Sequence, residues 1–201
     1  VCRQCRQVGE KLFLKGERCY TPKCAIEKHR AAPGSQRPSR RRPSDYAVRL
    51  REKQKVRYAY GLREHQFLRN VKQAQKQPGI TGMYLMQLLE RRLDNVVYRL
   101  NFSDSRAQAR QMVLHGHCTV NGRKVDIPSF VVKAGDEIGW KTSSIEKDFV
   151  KEIKETIPKR EVPRWLDLDA GALTGKVSSL PEEQDIGDTV DTRLIVEFYS
   201  R

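Results

Sequence analysis

Four of the chain's five cysteines stand within its first 24 residues, as Cys2-x2-Cys5 and, thirteen residues on, Cys19-x4-Cys24. Paired thiolates at such spacings can wrap one metal ion with backbone amides turned toward the sulfurs, and two pairs complete a tetrahedral zinc shell. The second pair is looser than the usual two-residue spacing, and His29 is near enough in sequence to replace one cysteine. Disulfides and plain reduced thiols are the competing readings; in a reducing compartment zinc is favoured over both. With four protein ligands the zinc is structural, since a catalytic ion keeps an open position. It would also supply folding free energy to residues 1–30, where Gly9, Gly16 and Pro22 leave little room for a core. Cys118 stands apart and reads as a small buried hydrophobe.

The second chemistry is that of arginine and lysine. The net charge is +14, and all of it lies in residues 1–72, which hold 20 Lys/Arg against 6 Asp/Glu. Such a surplus repels itself unless a polyanion covers it, and the phosphate backbone of nucleic acid is the usual cover. A solvated basic tail is the bland alternative, and charge alone does not choose. Position within elements does more. Residues 31–43 form a Pro/Gly/Ser/Arg linker, extended when free, that carries Arg40, Arg41 and Arg42. A helix over 45–60, capped by Ser44 and stopped by Gly61, sets Arg49, Lys53 and Arg57 in one stripe. A second helix over 63–77 ends at Pro78-Gly79, and Thr81 caps a third with Leu85, Leu88 and Leu89 on its apolar face.

From residue 91 an amphipathic helix buries Leu93, Val96, Val97 and Leu100 and turns Arg92 and Arg99 outward. Ser105 then caps a helix to about residue 114, closed by Gly116, with Arg106 and Arg110 one turn apart. Asn121-Gly122 is a hairpin turn signal carrying Arg123 and Lys124 on its far strand. Residues 130–132 and 137–140 read as two further strands, Ser144 as the cap of a helix to about 157, and Leu194–Phe198 as a buried strand or core segment. Together Arg92, Arg99, Arg106, Arg110, Arg123 and Lys124 can place cations on phosphates, with Ser105 and Asn121 as hydrogen-bond donors.

An enzyme is not expected. The chain has no phosphate-cradling Gly-Lys-Ser/Thr loop and no Gly-x-Ser-x-Gly elbow. His115 and His117 read as helix-end and turn residues, and Asp167 and Asp169 as surface or turn-capping groups. No apolar run approaches the roughly 20 residues that cross a bilayer, and the first residues lack a signal-peptide core. The expected location is the cytoplasm or an organelle, with a few residues missing ahead of Val1.

Three motifs resemble one family: Arg92-Leu93-Asp94-Asn95-Val96-Val97-Tyr98-Arg99-Leu100, Ser105-Arg106-x-x-Ala109-Arg110-Gln111 and Val120-Asn121-Gly122-Arg123. They are similar to the small RNA-binding domain first defined in the fourth protein of the small ribosomal subunit. Ala32-Pro33-Gly34, the run from Ser44 to Arg57 and the closing Leu194–Ser200 extend the likeness to the bacterial ribosomal protein family itself. The resemblance implies an α+β fold: a mainly helical domain with an inserted RNA-binding domain of two helices and short antiparallel strands, preceded by the zinc-binding segment. On that pattern residues 44–90 begin the helical domain, 91–157 are the insert, and 158–201 return to the helical domain. It further implies early binding of small-subunit ribosomal RNA at a helical junction, nucleation of subunit assembly and a contribution to decoding accuracy. The implied neighbours are the fifth small-subunit protein and messenger RNA where it enters the ribosome, with one copy per ribosome. An RNA-binding regulator outside the ribosome is the alternative; cosedimentation with washed small subunits separates the two.

Overall fold

The computed structural model describes residues 1–34, 42–157, 160–186 and 190–200. The chain forms two compact units: Val1–Leu85 with Asp188–Arg201, and Met86–Gly187 between them. The first is helical and the second combines helices with one sheet, so the fold class is α+β.

In the helical unit, α1 (Cys2–Val8) is followed by a 3-10 turn, α2 (Asp45–Ala59), α3 (Glu64–Ala74), the start of α4 (Thr81–Glu90) and a C-terminal helix, Thr192–Tyr199. Ser44 caps α2, its hydroxyl accepting the Ala47 N–H at 3.3 Å, and Asp45 complements the helix dipole. Phe67, Val71 and Ala74, spaced four and three apart, bury one face of α3. Leu194–Phe198 is not a strand but part of the C-terminal helix. Asp191 starts that helix by accepting the N–H groups of Arg193 and Leu194, after which Ile195 is fully buried. The helix packs on α2, with the Tyr46 and Phe198 rings 5.7 Å apart. The N-terminal segment has a small core of Cys5, Val8 and Leu12, joined by Leu14, Ile26 and Tyr58.

In the second unit, α5 (Leu93–Arg99) and α6 (Arg106–Leu114) pack together against an antiparallel sheet of order β2-β1-β3-β5-β4. The strands are β1 (Cys118–Val120), β2 (Arg123–Lys124), β3 (Glu137–Trp140), β4 (Leu166–Asp169) and β5 (Thr174–Val177), with short helices α7 (Thr142–Ile145), α8 (Asp148–Thr156) and α9 (Glu183–Ile186). The core runs from Leu93, Val97 and Leu100 through Met112 and Val113 to Ile138, Trp140, Trp165 and Val177. Gly175 lies so close to α5 that a Cβ there would fall 2.3 Å from the Leu100 side chain.

Three expectations are corrected here. Residues 166–177 do not return to the helical unit: β5 pairs with β3, Ile138 opposite Gly175, and β4 closes the edge. The cause is local chemistry, because Asp169 accepts the Gly171 and Ala172 N–H groups and turns one strand into the next. Residues 130–132 make only one bridge, Val131 to Arg92. Their backbone instead holds the start of α5, whose Leu93 and Asp94 N–H groups donate to Phe130 and Pro128 carbonyls. The single helix expected over 144–157 is two, and Ser144 lies inside the first.

Candidate nucleic-acid interface

Two buried carboxylates organise the arginines of α5 and α6. Glu90, at the end of α4, is wholly buried; it accepts Arg99 Nε at 3.0 Å, Arg99 Nη2 at 2.7 Å and Asn95 Nδ2 at 2.8 Å. Asp94, also buried, takes the Arg92 fork at 3.0 and 2.7 Å and the Arg110 Nη1 at 3.4 Å. Forked charge-assisted bonds of this kind are short and directional, so the guanidinium planes are fixed. Asn95 joins the two helices by accepting Arg106 Nε at 2.7 Å. The Tyr98 ring lies between Arg106 and Arg160, whose guanidinium carbons are 4.5 and 4.0 Å from its centroid. Arg160 in turn binds the Tyr98 and Ser103 carbonyls and Asn101.

This geometry reassigns several residues. Arg92 does not face outward: it is 5% exposed and spent on Asp94, so it is a positioning residue. Arg99 is a quarter exposed and bound to Glu90. Ser105 is the N-cap of α6, its hydroxyl accepting the Gln108 N–H. Asn121 builds the hairpin instead of offering donors outward. It sits at φ 50°, donates to Asp136 and accepts the Glu137 N–H. The exposed cations of the predicted set are Arg123 and Lys124 on β2, beside the half-buried Arg106 and Arg110 on α6. Gly116 seats the hairpin against the end of α6: its φ is +68°, and a Cβ would lie 2.2 Å from Lys124 Cε. Glu90, Asp94, Asn95 and Arg160 hold these side chains in place and lie outside the predicted site residues. Only the acid two residues from Arg92 signalled the network.

The α2 stripe is also corrected. Lys53 is 4% exposed, 2.8 Å from Glu64 and 4.7 Å from the centre of the Phe198 ring. Arg49 Nε binds Glu197 at 2.7 Å, and Arg57 Nε binds Gln54 at 2.7 Å with Glu64 3.6 Å away. One face of α2 does carry all three, as the spacing demands, but it is the face that meets the C-terminal helix and Glu64. Burial works to raise the Glu64 pKa. Hydrogen bonds from Lys53 and Tyr199 and the charges of Lys53 and Arg57 outweigh it, leaving the carboxyl below its ordinary value. Arg42 is exposed; Arg40 and Arg41 lie outside the described residues.

Cys5, Cys19 and Cys24 are buried, Cys2 is half-buried and none forms a disulfide. Burial raises the Cys5 thiol, the Leu12 N–H opposes that rise, and negative charge on Cys19, Cys2 and Cys24 adds to it. The Lys15 N–H points at the Cys19 sulfur at 3.4 Å. Thiols flanked by backbone N–H groups suit a zinc shell in kind. Among the described residues, however, no three His, Cys, Asp or Glu side chains stand in a metal-holding arrangement, and His29 is exposed. His117 shares a hydrogen with Ser144 at 2.9 Å and stacks on His115, a structural pairing. No helix among the described residues is long and apolar enough to cross a membrane.

The paired helices bearing arginines and the sheet led by an Asn-Gly hairpin fall in a stretch, residues 91–138, that matches the description "S4 domain". Residues 1–90 match "Ribosomal protein S4/S9 N-terminal domain". Similarity extends along the whole chain. It is 52% identical over 202 residues to the small ribosomal subunit protein uS4 of Thermus thermophilus, and 52% identical over 202 residues to that of Desulfitobacterium hafniense. It is 53% identical over 201 residues to the uS4A protein of Alkaliphilus metalliredigens. Each alignment covers 100% of this chain and 97% of the relative. The chain belongs to the small ribosomal subunit protein uS4 family.

Proposed function

We propose that this protein is a structural constituent of the small ribosomal subunit, located on the ribosome, and binds the subunit's RNA as a scaffold without catalysing a reaction. The observation that carries this reading is the α5–α6 array, in which buried Glu90 and Asp94 hold the arginines in fixed planes beside the Arg123–Lys124 strand. Duplex RNA hides its base edges in a deep, narrow groove, so a protein reads phosphates, 2′-hydroxyls and the shape of junctions. Pre-oriented guanidinium forks meet phosphate with little ordering left to do. Full-length likeness to uS4 proteins supports the further reading that binding is early, nucleates assembly and contributes to accuracy. On the same reading the fifth small-subunit protein and incoming messenger RNA are neighbours, with one copy per ribosome.

Within the same proposal, Cys2, Cys5, Cys19 and Cys24 hold one structural zinc ion. Their spacing and the N–H groups aimed at Cys5 and Cys19 support it. The ion would tie the N-terminal segment into one shape and take no part in chemistry.

The test is to mix the purified chain with protein-free small-subunit RNA and a large excess of transfer RNA. The expected outcome is a one-to-one complex that survives the competitor. Recovery of the chain mainly on the competitor would overturn the reading.

A further inference from the structure

A second basic surface lies on α3, where no motif pointed. His65, Arg69, Lys72 and Lys76 follow one another at intervals of four, three and four residues. At 3.6 residues per turn that spacing keeps His65, Arg69 and Lys72 along one face of α3, opposite the buried Phe67, Val71 and Ala74, and Lys76 follows in the turn just past the helix. All four are exposed. With Leu68 and Gln73 they line an open groove of about 500 Å³.

This face carries no acidic partner, in contrast to the cations that hold the unit together. Lys11 is paired with Glu27, Lys55 with Glu10, Arg49 with Glu197 and Lys53 with Glu64. Among the described residues, none of these four side chains has a carboxylate within ion-pair distance. Glu64, at the first position of α3, is turned to Lys53 and Tyr199. Arg69, Lys72 and Lys76 are therefore unneutralised cations, on a face that runs about 10 Å along the axis from His65 to Lys72.

We propose that this face of α3 is a contact for the phosphate–ribose backbone of folded RNA, separate from the α5–α6 array. The proposal rests on the ribosomal-RNA reading above and adds a site to it. A protein partner fits less well. Interfaces of that kind are anchored by buried aromatic or aliphatic groups, and this groove offers only Leu68 among long, flexible cations. Such side chains follow an irregular line of phosphates and release counterions as they do so.

The experiment compares Arg69→Ala/Lys72→Ala/Lys76→Ala and Arg106→Ala/Arg110→Ala with the unaltered full chain, titrating small-subunit RNA at several salt concentrations. Circular dichroism checks that each variant is folded, which exposed α3 substitutions should leave intact. The α3 variant should reduce the slope of log affinity against log salt by about 2, corresponding to two or three lost phosphate contacts. It should also lose hydroxyl-radical protection at nucleotides that the α6 variant still protects. An α3 variant with unchanged slope and footprint, beside a weakened α6 variant, would overturn the α3 site and leave the RNA reading standing. Unchanged RNA affinity with failure to join particles would also overturn it, assigning the face to a protein. No binding by the unaltered chain would instead sink the underlying reading.

Discussion

Glu90 and Asp94 decide what the arginines around them can do. A buried carboxylate without a partner is costly, and so is a partly buried guanidinium left alone, so each acid and its arginine depend on the other. Replacing Glu90 by Gln removes the charge while keeping the shape. Because Arg99 is still a quarter exposed, the expected loss is about 2 kcal/mol, below the roughly 3–5 for a fully buried pair; urea unfolding measures it. Asp94→Ala releases Arg92 and Arg110 together, and RNA affinity should fall more than for Arg110→Ala alone. Unchanged RNA affinity in Asp94→Ala beside a loss in Arg110→Ala would mean that Asp94 does not position Arg110. At this scale the sequence was half legible. Arg106, Arg110, Arg123 and Lys124 are reachable, whereas Arg92, Ser105 and Asn121 are spent on the fold itself. Residue type names a donor without saying whether the fold has already claimed it.

At the scale of elements, the docking of the C-terminal helix on α2 depends on Glu64, which accepts from Lys53 and from Tyr199 at 2.8 and 2.6 Å. Its pKa is lower in the folded chain than in the unfolded one. The stabilisation is therefore present above the unfolded value and is lost as pH falls through the folded one, on the acid side of the ordinary glutamate range. Glu64→Gln should flatten that acid limb of stability; an identical limb would mean that other carboxylates set it. The same contacts show which way the α2 stripe turns. Helical spacing fixes which residues share a face but not which way the face turns, and the partner that claims it lies some 140 residues on. The helices α2, α3 and α6 were legible because caps, glycines and period all agree. Strands β4 and β5 were not, because Asp167, Asp169 and Gly175 are poor strand formers, and α1 was hidden beneath the cysteine pattern it carries. For that segment the zinc proposal predicts about one zinc per chain by elemental analysis and loss of order in residues 1–30 on chelation. Metal-free protein with an equally ordered N-terminus would remove it.

Across the whole molecule the charge is divided in use. The surplus of 14 lies in residues 1–72, yet the cations of α2 that seemed best arranged to meet RNA close internal pairs. The α5–α6 array, by contrast, lies where the sequence balances to zero. Net charge draws the chain toward a polyanion over distance, while oriented arginines set the geometry of contact. Location of surplus charge and location of the contact surface are thus separate properties, and only the first can be read by counting. On the proposed reading, this chain grips folded small-subunit RNA through arginines positioned by Glu90, Asp94 and Asn95. The direct measurement is affinity for that RNA from low to moderate salt, for the unaltered chain and for Arg106→Ala/Arg110→Ala. Tight binding with a steep salt slope, weakened and flattened in the variant, is the predicted result. Equal affinity and slope in the two proteins would contradict it.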